Sequence, residues 1–93
     1  MRSPHDVNVL ITGAGRGIGK RLAIGFARHK ARVGLLGRSQ GELSVTKLEI
    51  EDSGGTALQL RADVRNFEQM SAAVDRVVSQ WGHIDTLICN AAV

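Results

Sequence analysis

A chain of 93 residues, 43% hydrophobic and 23% charged, has room for one small globular domain whose stability is marginal without a ligand or partner. One cysteine, Cys89, excludes a disulfide framework, and no apolar run approaches the roughly 20 residues that span a bilayer, so a soluble, cytoplasmic protein is expected. Net charge is +3 but uneven: residues 1–40 hold eight Arg or Lys against one acid, and residues 41–93 hold four against eight. The basic half suits an anionic ligand. Aromatics at 3%, with no tyrosine, leave no stacking platform for nucleic acid, which is not expected as a partner.

The N-terminus, MRSPHDVNVLITG, lacks the plan of a signal peptide. Val7, Val9, Leu10 and Ile11 form a short apolar run that reads as a buried strand ended by Thr12-Gly13. Beyond the glycines, Ile18, Leu22, Ala23, Phe26 and Ala27 recur at helical spacing, which predicts an amphipathic helix over 17–30. Its Lys20, Arg21, Arg28 and Lys30 read as a solvated face. Gly25 inside it costs about 1 kcal/mol relative to Ala, and close approach to the sheet is the expected compensation. Val33, Leu35 and Leu36 make a second strand. Ser39-Gln40-Gly41-Glu42 has capping-box spacing, and the helix it opens carries Leu43 and Ile50 and stops at Gly54-Gly55.

Ala57, Leu58 and Leu60 suggest a third strand. Asn66 caps the next helix, with Gln69 three residues on, and Met70, Ala73, Val74, Val77, Val78 and Trp81 form its expected buried stripe up to Gly82. Ile84, Leu87 and Ile88 make a fourth strand, with Cys89 read as a small buried residue on it. Strict alternation of strand and helix implies an α/β, Rossmann-type, doubly wound parallel sheet of about four strands in the order 3-2-1-4. Ligands of such sheets bind at the carboxyl ends of strands flanking the change of winding direction. There the Gly13 to Gly19 loop and the Asn90 segment meet.

The strongest motif is Thr12-Gly13-Ala14-Gly15-Arg16-Gly17-Ile18-Gly19, set between a strand and a helix. Free amides at the helix N-terminus and the positive end of its dipole favour a phosphate, and glycine keeps a Cβ from holding that phosphate off the backbone. A Walker loop is excluded, because Gly-x-x-x-x-Gly-Lys-Ser/Thr does not occur. Gly-x-Gly-x-x-Gly does not fit either, since Ile18 and Lys20 stand where its third glycine would be. What fits is Thr-Gly-x-x-x-Gly-x-Gly through Gly13, Gly17 and Gly19. With Asp63-Val64 after the third strand and Asn90-Ala91 after the fourth, the chain resembles the short-chain dehydrogenase/reductase family over residues 7–93.

The resemblance implies cofactor-binding roles along this whole segment. Gly13, Gly17, Ile18 and Gly19, within the loop that also holds Gly15, would line a pyrophosphate, and Asp63 and Val64 would contact adenine. Asn90, followed by Ala91, would stand near the ribose. The family's Asn-Asn-Ala-Gly is here Cys89-Asn90-Ala91-Ala92, and Ala92 restricts backbone where glycine would not. An acid that would bond the ribose hydroxyls of NAD is replaced by Gly37-Arg38-Ser39, and the Arg38 fork suits a 2′-phosphate, with Arg16 approaching from the loop. NADP(H) is therefore expected over NAD(H).

Family chemistry is hydride transfer between nicotinamide and a carbonyl or alcohol, using Tyr-x-x-x-Lys and a serine. This sequence has no tyrosine, so the expectation is a cofactor-binding portion, catalytically incomplete as given. The competing reading is a non-catalytic nucleotide-binding or interaction module from a truncated gene. A methyltransferase of similar fold leaves Arg38 unexplained. His5, His29 and His83 lie far apart and suggest neither metal nor triad, and Ser71 and Ser79 read as solvated. A fourth strand left at the sheet edge predicts self-association.

Overall fold

Asn8–Thr12 forms strand β1, and all five of its residues are buried, as a central parallel strand covered on both faces must be. The computed structural model describes residues 7–90. Helix α1 (Gly17–Arg28), β2 (Arg32–Gly37), α2 (Gln40–Asp52), β3 (Thr56–Arg61), α3 (Phe67–Trp81) and β4 (Thr86–Ile88) follow in turn. The strands are parallel in the order β3-β2-β1-β4, with Leu10 level with Gly34 on one side and Leu87 on the other. The expected doubly wound α/β architecture is the one observed.

Alternate residues of each strand face opposite layers. Val9, Ile11, Val33, Leu35 and Ala57 face one layer, where Ala23 and Ala27 of α1 and Leu43 and Ile50 of α2 complete the core. Leu10, Leu36 and Leu60 face the other, where Ala73 and Val77 of α3 cover them. Gly34 serves this second layer. A Cβ there would stand 2.9 Å from Leu10 Cδ1 and 3.6 Å from Val77 Cγ2, so its lack of a side chain lets α3 close on the sheet.

Several local expectations change. Helix α1 ends at Arg28, where Lys30 takes a left-handed φ of 73° before the chain enters β2. Gly25 has nothing within 4 Å of an added Cβ, so it is not a close-approach glycine, and no contact in the structure explains it. Ile18 is 68% exposed rather than part of the buried face. The α3 stripe is narrower than its periodicity suggests: Ala73 and Val77 are buried, but Val74 and Val78 are 36% and 44% exposed. Strand β4 is only three residues long; Ile84 precedes it and packs, half-buried, on the α3 layer, while Cys89 follows it and is exposed.

The sheet's lower end is tied by polar groups that no motif or periodicity singles out. Asn8 is wholly buried, and its side chain accepts from Arg32 Nε at 2.6 Å and donates to the His83 carbonyl at 2.9 Å. Asp85 accepts from the Asn8 amide at 2.7 Å and lies 3.0 Å from His83 Nε2. Among the described residues each buried side-chain polar atom finds a partner, and the entries of β1, β2 and β4 are thereby fixed together.

Candidate functional site

At the opposite end of the sheet, the loop between β1 and α1 opens onto a cavity of about 720 Å³. That volume is within the range of small-molecule and cofactor sites. Gly13 and Gly17 have φ of 66° and 62°, left-handed values that turn the chain from strand to helix and that a side chain would strain. Gly19 lies inside the fold: a Cβ would collide with the Gly13 carbonyl oxygen and stand 2.6 Å from Asn90 Nδ2. The helix start is thus seated directly on the strand end.

Helix α1 differs from its neighbours at its N-terminus. Ser39 Oγ caps α2 by accepting from the Glu42 amide at 3.2 Å, and Asn66 Oδ1 caps α3 by accepting from the Gln69 amide at 3.0 Å. Both helices carry an acid in the first turn, Glu42 and Glu68. Arg16, at the cap position of α1, provides no side-chain hydrogen bond, and the first turn has no acid. Amides of the kind that α2 and α3 satisfy with their caps therefore lack a side-chain partner in α1, whose start borders the cavity at Arg16 and Gly17, and no acid compensates its dipole.

Neither capping box closes in both directions. The Glu42 carboxylate turns toward Arg16, with Oε2 3.8 Å from Nε, and Gln69 Oε1 accepts from the Asp63 amide at 2.8 Å. That second bond anchors the turn after β3 to α3.

Thr12 joins the two strand ends below the cavity. Its Oγ1 accepts from the Asn90 amide at 2.9 Å and donates to the Ile88 carbonyl at 3.4 Å, while Asn90 Nδ2 donates to the Gly13 carbonyl at 3.4 Å. This hydroxyl was legible as the first letter of the glycine motif, but its bridging role needs β4 alongside β1.

Most residues singled out from the sequence converge here. Gly13, Gly15, Arg16, Gly17, Arg38, Ser39, Asp63, Val64 and Asn90 all line the cavity. Ile18 and Gly19 do not: the first faces outward and the second is packed beneath the loop. Ala91 lies outside the described residues. Glu42, Leu43 and Arg65 join the lining without having been singled out for it. The signal for Glu42 was its place one turn after Arg38; Arg65 offered only proximity to Asp63.

The charges are arranged unequally. Arg65 grips Asp63 through two side-chain bonds, Nε to Oδ1 at 3.1 Å and Nη2 to Oδ2 at 2.9 Å, and its amide adds a third at 2.9 Å. Those bonds hold the Asp63 carboxyl well below the usual range, at about 2, and raise Arg65 in turn. Arg16 has only the long contact to Glu42 and is 86% exposed. The Arg38 guanidinium makes no hydrogen bond or ion pair with the described residues, although its carbonyl accepts from Arg61 Nε at 3.3 Å.

A parallel sheet with a glycine turn seated at its switch point, an uncapped helix start and a cationic rim defines a nucleotide-cradling protein of the doubly wound class. The family model for short chain dehydrogenases matches residues 7–93, and the chain belongs to that family. Hydroxysteroid dehydrogenase-like protein 2 of Mus musculus is 38% identical over 91 residues, covering 90% of this chain and 19% of the mouse protein. Two crystal structures make a useful pair. L-Sorbose reductase from Gluconobacter frateurii, complexed with NADPH and L-sorbose, is 32% identical with a TM-score of 0.89, over 94% of this chain and 34% of that one. A 3-oxoacyl-[acyl-carrier protein] reductase with bound NAD from Brucella melitensis is 35% identical with a TM-score of 0.83, over 94% and 32%. The chain spans between 19% and 36% of the length of eight curated relatives it matches.

Proposed function

We propose that these 93 residues are the NADP(H)-binding portion of an oxidoreductase that exchanges hydride with a carbonyl or alcohol substrate, and that by themselves they bind the cofactor without turnover. One observation carries the cofactor reading: the guanidinium of Arg38, without a hydrogen bond or ion pair among the described residues, directly follows β2 on the cavity wall, where an NAD-preferring site would present an acid. The cradle fits a dinucleotide on the structure's own terms. Amides of the α1 start face the cavity, and Gly15 and Gly17 leave the loop backbone open to a pyrophosphate. When bound, the nicotinamide supplies or accepts the hydride.

The chain's own residues bind and orient. Arg38 and Ser39 would hold the 2′-phosphate, the loop amides the pyrophosphate, and Val64 the adenine, with Ile18 and Gly19 acting through the seating of α1. Asn90 fixes the β4 end to the loop through the Gly13 carbonyl. Binding without turnover is supported by the lack of any tyrosine to act as proton donor. The same lack motivates the second reading, a non-catalytic nucleotide-binding module.

Titration with NADPH, NADH and 2′-phospho-AMP tests the proposal. NADPH should bind more tightly than NADH, and Arg38→Ala should reduce NADPH affinity by roughly ten- to a hundredfold, as expected for a charge-assisted contact of about 1.5–3 kcal/mol. Tighter binding of NADH by the unmodified protein would overturn the preference. NADPH consumption above background with a panel of ketones would overturn the inactivity.

Two further elements belong to this proposal. No helix of the described residues is long and apolar enough to cross a membrane, and the lone cysteine accords with a reducing, cytoplasmic setting. Self-association is supported by β4 as an edge strand, with Leu87 53% exposed.

A further inference from the structure

We propose that Glu42 restrains the preference for a 2′-phosphorylated cofactor, acting as a counter-anion built into the phosphate end of the cavity; the inference rests on the NADP(H) reading above. Glu42 sits in the first turn of α2, three residues beyond Ser39, and lines the same cavity as Arg16, Arg38 and Ser39. Its position is fixed by backbone packing. An added Cβ on Gly15 would stand 2.8 Å from Glu42 Cβ and 3.5 Å from its Oε1, so the glutamate lies directly against the loop. Two constraints hold the α2 start there: Ser39 Oγ accepts from the Glu42 amide at 3.2 Å, and Thr46 Oγ1 donates to the Glu42 carbonyl at 3.2 Å while reaching Ala14 O at 3.4 Å.

The carboxylate therefore has two effects on an incoming phosphate. Its Oε2 lies 3.8 Å from Arg16 Nε and draws on a charge that would otherwise face the ligand. It also adds a negative charge beside a group carrying about two of its own near neutral pH. Asp63, the other acid on the lining, is compensated more fully, because Arg65 holds both its oxygens and the charge of Arg38 also acts on it. A ligand without the 2′-phosphate brings only its pyrophosphate to this loop and meets a smaller penalty, so the effect is one of discrimination.

Removing the charge while keeping the shape, Glu42→Gln, should tighten NADPH and 2′-phospho-AMP by about two- to fivefold, the size of one solvent-screened charge pair, and tighten NADH and AMP by less, so that the ratio between the two groups rises. Glu42→Lys should widen the gap further, and both gains should shrink at high salt. Calorimetric titration of the four ligands, with circular dichroism melts to verify folding, reads this directly. If the unmodified protein prefers NADPH but Glu42→Gln leaves the ratio unchanged or lowers it, the role of Glu42 is overturned and the cofactor assignment stands. If the unmodified protein shows no preference for phosphorylated ligands, the NADP(H) reading and this inference both fail.

Discussion

Gly19 is where a single methyl group decides whether the site exists. Its added Cβ would meet the Gly13 backbone, which cannot swing aside as a side chain does. Gly19→Ala should therefore destabilise the fold by about 1–3 kcal/mol and weaken cofactor binding, since the α1 start can no longer seat on β1; urea unfolding and titration measure both. The motif spacing pointed to Gly19 but not to this reason. Asp63 supplies a second test. Its carboxyl is held at about 2 against an ordinary 3.8, so its contribution to stability is fully present above pH 3.8 and is lost as pH falls toward 2. Arg65→Ala should raise its titration, followed by carboxyl NMR shifts, part of the way back, because the backbone amide at 65 still donates to the carboxylate and Arg38 still lowers it. An unchanged midpoint would mean that Arg65 does not hold the carboxylate in solution.

Among the elements, caps and faces behaved differently. Ser39 and Asn66 were legible as caps because an N-cap bond is local, spanning three residues whatever the rest of the chain does. Asn66→Ala should cost about 1 kcal/mol in a denaturant melt, and a loss near zero would show that the bond is replaced by water. The reciprocal halves of the boxes were not legible, because Glu42 and Gln69 found partners on the glycine loop and the β3 turn instead. Periodicity likewise gave the α3 stripe its phase but not its width. Ala73 and Val77, four residues apart, meet the sheet, while Val74 and Val78, each one residue further on, are turned by about 100° and remain exposed.

For the molecule as a whole, a ligand that binds only the folded state adds its binding free energy to stability. NADPH at a hundredfold excess over its Kd should raise stability by about 2.7 kcal/mol, seen as an upward shift of the thermal midpoint, and no shift would count against a folded-state site. Sedimentation at rising concentration should reveal association through the β4 edge; a monomer throughout would remove that proposal. The alternation of apolar runs and helical stripes sufficed to specify the parallel 3-2-1-4 sheet, because strand and helix periods are local and right-handed crossovers leave few topologies. The Thr-Gly-x-x-x-Gly-x-Gly spacing likewise marked the cradle. Only the tertiary structure brought Glu42 against Gly15, Arg65 onto Asp63, Thr12 between β1 and β4, and Asn8 among Arg32, His83 and Asp85. These contacts join residues on different elements, and their distances depend on how the layers close, which no spacing along the chain encodes.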